Sequence, residues 1–96
     1  MPPRIHSMTT EQTRRVREKV LALTRDWMFD RNASNGRFGG ASASADLGLD
    51  CYVGIVDFAY STPDGQSVSG QLSWRLDDAF EPEGQPEVRF VEDGNT

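Results

Sequence analysis

The sequence predicts an α+β fold in which one N-terminal helix packs on an antiparallel sheet of three or four strands. Three observations predict this class: one amphipathic segment of helical period, two alternating segments joined by a tight-turn sequence, and a short further alternating segment. A helix layer over a sheet layer is the simplest arrangement that buries the apolar side of each element. We expect one domain at 9–92, with a flexible tail at 1–8 and a frayed terminus at 93–96.

The helix is predicted to run from about Thr10 to about Phe29. Thr9 and Gln12 have the spacing of a capping box, in which the Thr hydroxyl and the Gln side chain each satisfy a backbone N–H at the helix start. The apolar residues recur at the spacing of one helical face. They are Val16, Val20, Leu23 and Trp27.

The segment from Arg31 to Leu49 has no clear periodicity. It is rich in Gly, Ala and Ser, and Phe38, Leu47 and Leu49 are its only large apolar residues. Long loops of this kind in small domains are functional, disordered, or conceal a short strand. The sequence leaves two interpretations of Ala41–Leu47 open, a mobile loop or a weak edge strand.

A hairpin is predicted from Cys51 to Leu76, around the turn Thr62–Gln66. Pro63 fixes φ for a type I turn and Gly65 supplies the left-handed residue that closes it. This turn sets the register of the two strands. The pairs are Tyr60 with Val68, Phe58 with Gly70, Val56 with Leu72, Gly54 with Trp74, and Tyr52 with Leu76.

The segment after the hairpin is acidic and then alternates. Asp77 to Pro86 contains four carboxylates and two prolines and is expected to be exposed. Glu87 to Val91 alternates briefly between apolar and charged side chains, which predicts a further antiparallel strand.

The predicted register divides the hairpin into two faces. One face carries the large apolar side chains and is expected to pack on the helix. The other face holds an apolar row of Cys51, Val53, Ile55 and Ala59 among polar side chains. Two covers for this row are open: the loop from Phe38 to Leu49 or the C-terminal segment, or else another chain, as a homodimer or as a target protein.

The net charge of −5 is distributed unevenly along the chain. Residues 1–45 carry eight basic and four acidic side chains, a net charge of +4, whereas residues 46–96 carry two and eleven, a net charge of −9. Opposite faces of one domain can carry the two signs, or an acidic surface can dock on a basic partner.

No catalytic, cofactor or metal-binding constellation is evident, so we expect no enzyme activity, no cofactor and no metal. His6 is the only histidine and lies in the predicted tail, while Cys51 is the only cysteine and adjoins an acidic residue that disfavours its thiolate. The acidic segment lacks the spacing of a calcium loop. Asp57 is the one acid inside an apolar strand, and we expect it to bond Gln71 or Arg75.

Nucleic acid and membranes are disfavoured as partners. The helix carries Arg14, Arg15, Arg17, Lys19 and Arg25, but an acidic chain repels phosphate backbones unless its basic patch is well segregated. The glycine-containing segment Asn35–Gly40 lacks the strand-then-helix context of a phosphate loop. No apolar run is long enough to cross a bilayer, and a cytoplasmic location is expected.

The favoured function is a small non-enzymatic protein that binds another protein or a second copy of itself, as an accessory subunit or as an inhibitor of the immunity or phage anti-defence kind. The candidate partner-binding residues are Val53, Ile55, Asp57, Arg75, Asp77, Asp78 and Glu81. One alternative is a small-molecule-binding module or enzyme that uses a helix–sheet cavity lined by Trp27, Tyr52, Tyr60 and Trp74. The second is a nucleic-acid binder that uses the basic helix face.

Overall fold

A computed structural model describes residues 8–91 and shows one helix packed against a four-stranded antiparallel sheet. The elements in chain order are α1 (Thr10–Asp30), β1 (Ser34–Asp46), β2 (Cys51–Ser61), β3 (Ser67–Leu76) and β4 (Glu87–Phe90). Consecutive strands are neighbours in the sheet. The predicted α+β class is therefore confirmed. The predicted tail at 1–8 and the terminus at 93–96 lie outside the described residues, except for Met8, which is partly buried against the core.

The helix begins at the predicted capping box. The Thr9 hydroxyl accepts from the Gln12 N–H at 3.1 Å, and the Gln12 side chain accepts from the Thr9 N–H at 2.9 Å. The predicted stripe is buried except for Leu23, which is half-buried. Thr24 and Met28 widen the buried side beyond that stripe. The helix ends just before Asn32, whose φ of 56° lies in the left-handed region.

The hairpin of β2 and β3 has the predicted register at every pair. Tyr60 lies opposite Val68, Phe58 opposite Gly70, Val56 opposite Leu72, Gly54 opposite Trp74, and Tyr52 opposite Leu76. At the turn, the Gly65 N–H donates to the Thr62 carbonyl at 2.9 Å, and Gly65 has a φ of 88°. The turn sequence therefore does fix the pairing.

The expected loop before the hairpin is a 13-residue edge strand, β1. The edge-strand interpretation of Ala41–Leu47 is therefore correct as far as Asp46, and the strand starts earlier, at Ser34. Its register shifts between Ser34 and Arg37 and again between Phe38 and Ala41, so side chains do not alternate regularly along it. Backbone pairing with β2 holds this segment in the sheet, and its small apolar side chains Ala41, Ala43 and Ala45 pack against the core.

The core lies between α1 and one face of the sheet. A Cβ atom at Gly54 would lie 2.5 Å from Cγ1 of Val20, so the helix rests directly on the backbone of β2. Farther along the helix, the Trp74 Nε1–H donates to the Thr24 Oγ1 at 2.9 Å, and both residues are buried. The Trp27 ring meets the Phe58 ring edge to face, at 5.2 Å between centroids.

The acidic connection between β3 and β4 is mostly exposed, as predicted. Phe80 is its main anchor and stacks on the core residue Tyr52 with 5.2 Å between ring centroids. The predicted strand after it is observed as β4. Within residues 8–91, no helix combines the length and apolar character needed to cross a lipid bilayer.

Candidate functional site: the open face of the sheet

The face of the sheet opposite α1, here called the open face, is the candidate functional site. Directly paired residues of antiparallel strands project to the same side, so the register assigns the members of this face. β2 and β3 form its centre, and β1 and β4 extend it on either side. The open face comprises Arg37, Ser42, Ser44, Asp46, Val53, Ile55, Asp57, Ala59, Ser69, Gln71, Ser73, Arg75, Glu87 and Arg89.

An apolar row runs along the centre of the open face. Ile55 is 37% exposed, and Val53 and Ala59 are half-buried. Cys51 is only 1% exposed and adds nothing to the accessible row, contrary to expectation. Within residues 8–91, neither chain segment expected to cover the row lies over its centre. Residues 34–46 lie beside β2 in the plane of the sheet, which leaves Ile55 accessible.

Small polar side chains flank the row and leave shallow grooves beside it. Ser42 and Ser73 are the register neighbours of Ile55 on β1 and β3. A larger depression of about 350 Å³ opens at one end of the face, between Val53, Arg75 and the chain before β4. Glu83, whose N–H donates to the Arg75 carbonyl at 2.7 Å, fixes that chain against the end of β3. The face is therefore an uneven, partly apolar surface rather than one deep pocket.

The charges of the open face are balanced, unlike those of the whole chain. Three arginines, Arg37, Arg75 and Arg89, are matched by three acids, Asp46, Asp57 and Glu87. Asp46 accepts a hydrogen bond from the Leu49 N–H at 3.0 Å.

The other five charged side chains of this face form no ion pair or hydrogen bond with residues 8–91. In particular, Asp57 bonds neither Gln71 nor Arg75, which corrects the expectation from the sequence. The register places Asp57 opposite Gln71 but two pairs away from Arg75, beyond the reach of its short side chain.

The seven predicted partner-binding residues fall on two surfaces. Val53, Ile55, Asp57 and Arg75 share the open face. Asp77, Asp78 and Glu81 lie instead in the connection between β3 and β4. Glu81 approaches Lys19 of α1, with 3.6 Å between Oε2 and Nζ, which places it toward the helix side of the sheet.

Asp77 has a structural role in its turn. Its Oδ1 accepts from the N–H groups of Ala79 and Glu81, at 2.8 and 3.0 Å. A carboxylate that accepts such bonds stabilises the loop backbone. Asp77 is thus partly committed to its own chain.

The basic helix face is partly neutralised by its own carboxylates. Arg14 forms ion pairs with Glu11 at 2.9 Å and Glu18 at 3.2 Å, and Arg15 pairs with Glu11 at 3.2 Å. The hydrogen bond and the charge of Arg14 hold the pKa of the Glu11 carboxyl below its ordinary value. Carboxylates therefore compete with phosphate groups for both arginines.

The sequence predicts no metal site, and the metal-ligating side chains of the described residues bear on that expectation. No cluster of three His, Cys, Asp or Glu side chains able to hold a metal ion occurs in residues 8–91, and His6 lies outside them. Asn35–Gly40 lies within β1 rather than between a strand and a helix, so it lacks the geometry of a phosphate loop.

The sequence interpretation missed the contribution of the two outer strands to the open face. β1 adds Arg37, Ser42 and Ser44, and β4 adds Glu87 and Arg89. The Ala-Ser-Ala-Ser-Ala stretch at 41–45 did carry a signal, since it alternates with the period of a strand. No protein-family model matches the chain, and no curated protein or solved structure matches it either.

Proposed function

We propose that this chain is a small non-enzymatic protein that acts by binding protein through the open face of its sheet. It would serve as an accessory subunit or as an inhibitor of another protein. The observation that carries this proposal is the exposure of Ile55 at the centre of a sheet face that residues 8–91 leave uncovered. An apolar centre with a polar surround is the arrangement found in interfaces between folded partners.

Three further features of the open face favour a protein over a smaller ligand. It is broad, because four strands contribute to it. Its grooves are shallow and continuous with one another rather than enclosed, and its polar groups are spread across all strands. Small-molecule sites instead concentrate a few convergent polar groups in a concave pocket.

The acidic connection between β3 and β4 offers a second contact surface. Asp78 and Glu81 are exposed there, and Glu81 lies on a different side from the open face. A basic partner would be attracted to this segment, chiefly through faster association. The two surfaces can therefore act separately.

The rival classes find less support in the described contacts. A ligand between helix and sheet would have to displace Val20 from Gly54 and break the buried bond between Trp74 and Thr24. A nucleic acid would compete with carboxylates for Arg14 and Arg15. The net charge of −5 on the chain would also repel the phosphate groups of a nucleic acid.

Affinity capture from the native host tests the proposal. The tagged full chain is compared with Ile55→Asp, which places a carboxylate in the centre of the apolar row. We expect the wild-type chain to retain at least one protein, another chain or an untagged copy of itself, that Ile55→Asp does not retain.

Phe29→Asp is the matched control, because Phe29 is 80% exposed and lies on α1, away from the open face. This variant should retain the same partner as the wild type. The proposal fails if every retained protein is also retained by Ile55→Asp, with both variants folded by circular dichroism.

A further inference from the structure

The charges of the open face are arranged so that the face complements itself. A chain of net charge −5 has here three basic and three acidic side chains. A neutral face that carries both signs disfavours a strongly charged partner and suits a partner with acidic groups opposite its basic groups and basic groups opposite its acidic groups. A second copy of the chain, rotated by 180°, can place its charges in this way.

We propose that the open face binds a second copy of this chain, face to face, about a two-fold axis perpendicular to the strands at the level of Ile55. This inference rests on the proposed function, since it names the protein that the open face binds. The axis lies midway between the two sheets and reverses the direction of the strands. β2 of one copy then lies over β2 of the other, with the two Ile55 side chains meeting at the axis.

The register shows which charges this axis brings together on the two central strands. Asp57 follows Ile55 by two residues along β2, and Val53 precedes it by two. Rotation therefore places Asp57 over Val53 of the second copy. Val53 is the direct cross-strand partner of Arg75. Asp57 thus lies beside Arg75 of the second copy, and two such ion pairs form in each dimer.

The same rotation matches opposite charges on the outer strand β1. Arg37 pairs with Ala59, four residues after Ile55, and Asp46 pairs with Cys51, four residues before it. Arg37 of one copy therefore lies over Asp46 of the other. On β4 the rotation brings the two Glu87 carboxylates together at the axis, which is a like-charge contact, and Arg89 of each copy flanks them and offsets part of their repulsion. The charge match of this axis therefore rests on the Asp57–Arg75 and Arg37–Asp46 contacts.

The separation and area of the two sheets are compatible with a dimer. Packed sheets lie about 10 Å apart, a gap that an arginine and an aspartate side chain together can span. The four strands have 13, 11, 10 and 4 residues, and at about 3.3 Å per residue and about 4.8 Å between strands they present about 600 Å² per copy. The total of about 1,200 Å² is at the lower end of stable interfaces.

The serines of the face permit this approach. Ser42 and Ser73 flank Ile55 on both sides, so one large side chain stands between two small ones at the level of the axis. Sheets pack by interdigitating the side chains of their inner faces. The two Ile55 side chains that meet at the axis can therefore spread into the space that these serines leave on either side.

Charge reversal on the central strands tests the proposal. Asp57→Arg places a second guanidinium group beside Arg75 of the second copy, and Arg75→Asp places two carboxylates together, each contact occurring twice per dimer. Sedimentation velocity of the full chain across a concentration series should show a monomer–dimer equilibrium. Each variant should raise its dissociation constant by about tenfold or more.

An equimolar mixture of the two variants is the decisive measurement. One copy then carries two arginines at these positions and the other carries two aspartates, so both ion pairs re-form, one of them with its signs exchanged. Association should return in the mixture, which a folding defect of either variant cannot produce. Arg25→Asp on α1 is the matched control and should leave the dissociation constant unchanged, because Arg25 is exposed on the helix.

Ile55→Arg provides an independent variant, since it places two guanidinium groups at the axis, and it too should abolish the dimer. The proposal is overturned if the wild type stays monomeric, if both reversals leave the dimer intact, or if mixing fails to restore it. If the protein is a monomer but still captures another protein through Ile55, the proposal of a second copy is overturned and the proposed function is not. A monomer that captures nothing would overturn the proposed function as well.

Discussion

Gly54 marks a point of close contact between α1 and the sheet. Its position has no room for a methyl group, because a Cβ atom there would lie 2.5 and 2.9 Å from the two γ-carbons of Val20. Gly54 also lies opposite Trp74 in the neighbouring strand. The glycine therefore accommodates the branched side chain of Val20 on the helix side and lies beside the large ring of Trp74. The size of this one residue sets how closely the helix approaches the sheet.

Gly54→Ala should therefore lower the free energy of unfolding by about 1–3 kcal/mol, the usual cost of overpacking a core. Urea unfolding followed by circular dichroism measures it. Gly40→Ala is the matched control, because its Cβ would have only an ordinary contact, 3.8 Å from Asp57 Oδ2. An equal effect of both substitutions would contradict the close approach at Gly54.

The buried hydrogen bond between Trp74 and Thr24 is a second feature that a single substitution can test. The indole N–H is buried, and its acceptor is a hydroxyl on the helix. Thr24→Val keeps the shape but removes the acceptor, which should cost about 1–3 kcal/mol of unfolding free energy. In the Trp74→Phe background, which lacks the donor, the same change should cost clearly less. Additive effects in this double-mutant cycle would argue against the bond.

At the scale of elements, the hairpin was predictable in full, whereas β1 was predictable only in part. The turn Thr62–Gln66 fixes its conformation through local chemistry, and each strand beside it alternates, so local and long-range preferences agree. β1 lacks this agreement. Its shift between Phe38 and Ala41, at Gly39-Gly40, interrupts the alternation, and its Ala and Ser side chains carry little hydrophobic signal. The backbone groups that β2 presents at its edge determine its structure.

The candidate site, too, could be predicted from the sequence only in part. Val53, Ile55, Asp57 and Arg75 were placed on one face because the hairpin register alone decides their side. The position of the acidic connection depends on contacts that no local pattern encodes, namely Phe80 on Tyr52 and Glu81 near Lys19. The sequence therefore predicted correctly which hairpin residues share the open face, but it grouped the acidic connection between β3 and β4 with them.

Leu72 tests the contribution of β3 to the core. It is fully buried beside Val56 and faces the helix side of the sheet. Leu72→Ala should lower the free energy of unfolding by about 2–5 kcal/mol, since it removes apolar contacts and leaves a cavity. Ser69→Ala on the same strand is exposed and should change stability by less than about 0.5 kcal/mol. Thermal unfolding indistinguishable from wild type for Leu72→Ala would contradict the observed register.

At the scale of the whole molecule, the charge asymmetry of the sequence does not produce one basic and one acidic side. Much of the basic charge of the N-terminal half is on α1, where Glu11 and Glu18 offset part of it. Much of the acidic charge of the second half lies in the connection between β3 and β4. The open face draws on all four strands and is neutral, which makes it distinct from the rest of the chain.

This distribution predicts how salt affects self-association. The Asp57–Arg75 and Arg37–Asp46 contacts proposed between two copies weaken when salt screens them, whereas burial of the Ile55 row does not. Raising the ionic strength from about 0.01 M to about 1 M shortens the screening length from about 30 to about 3 Å. The dissociation constant of the wild-type dimer should therefore rise with salt and then level off, as measured by sedimentation across a salt series. The mixed charge-reversal pair should show the same salt dependence, because it has the same number of ion pairs at the same positions. If the dimer instead tightened steadily with salt, apolar contacts alone would hold it together, and the charge pattern of the open face would have no part in recognition.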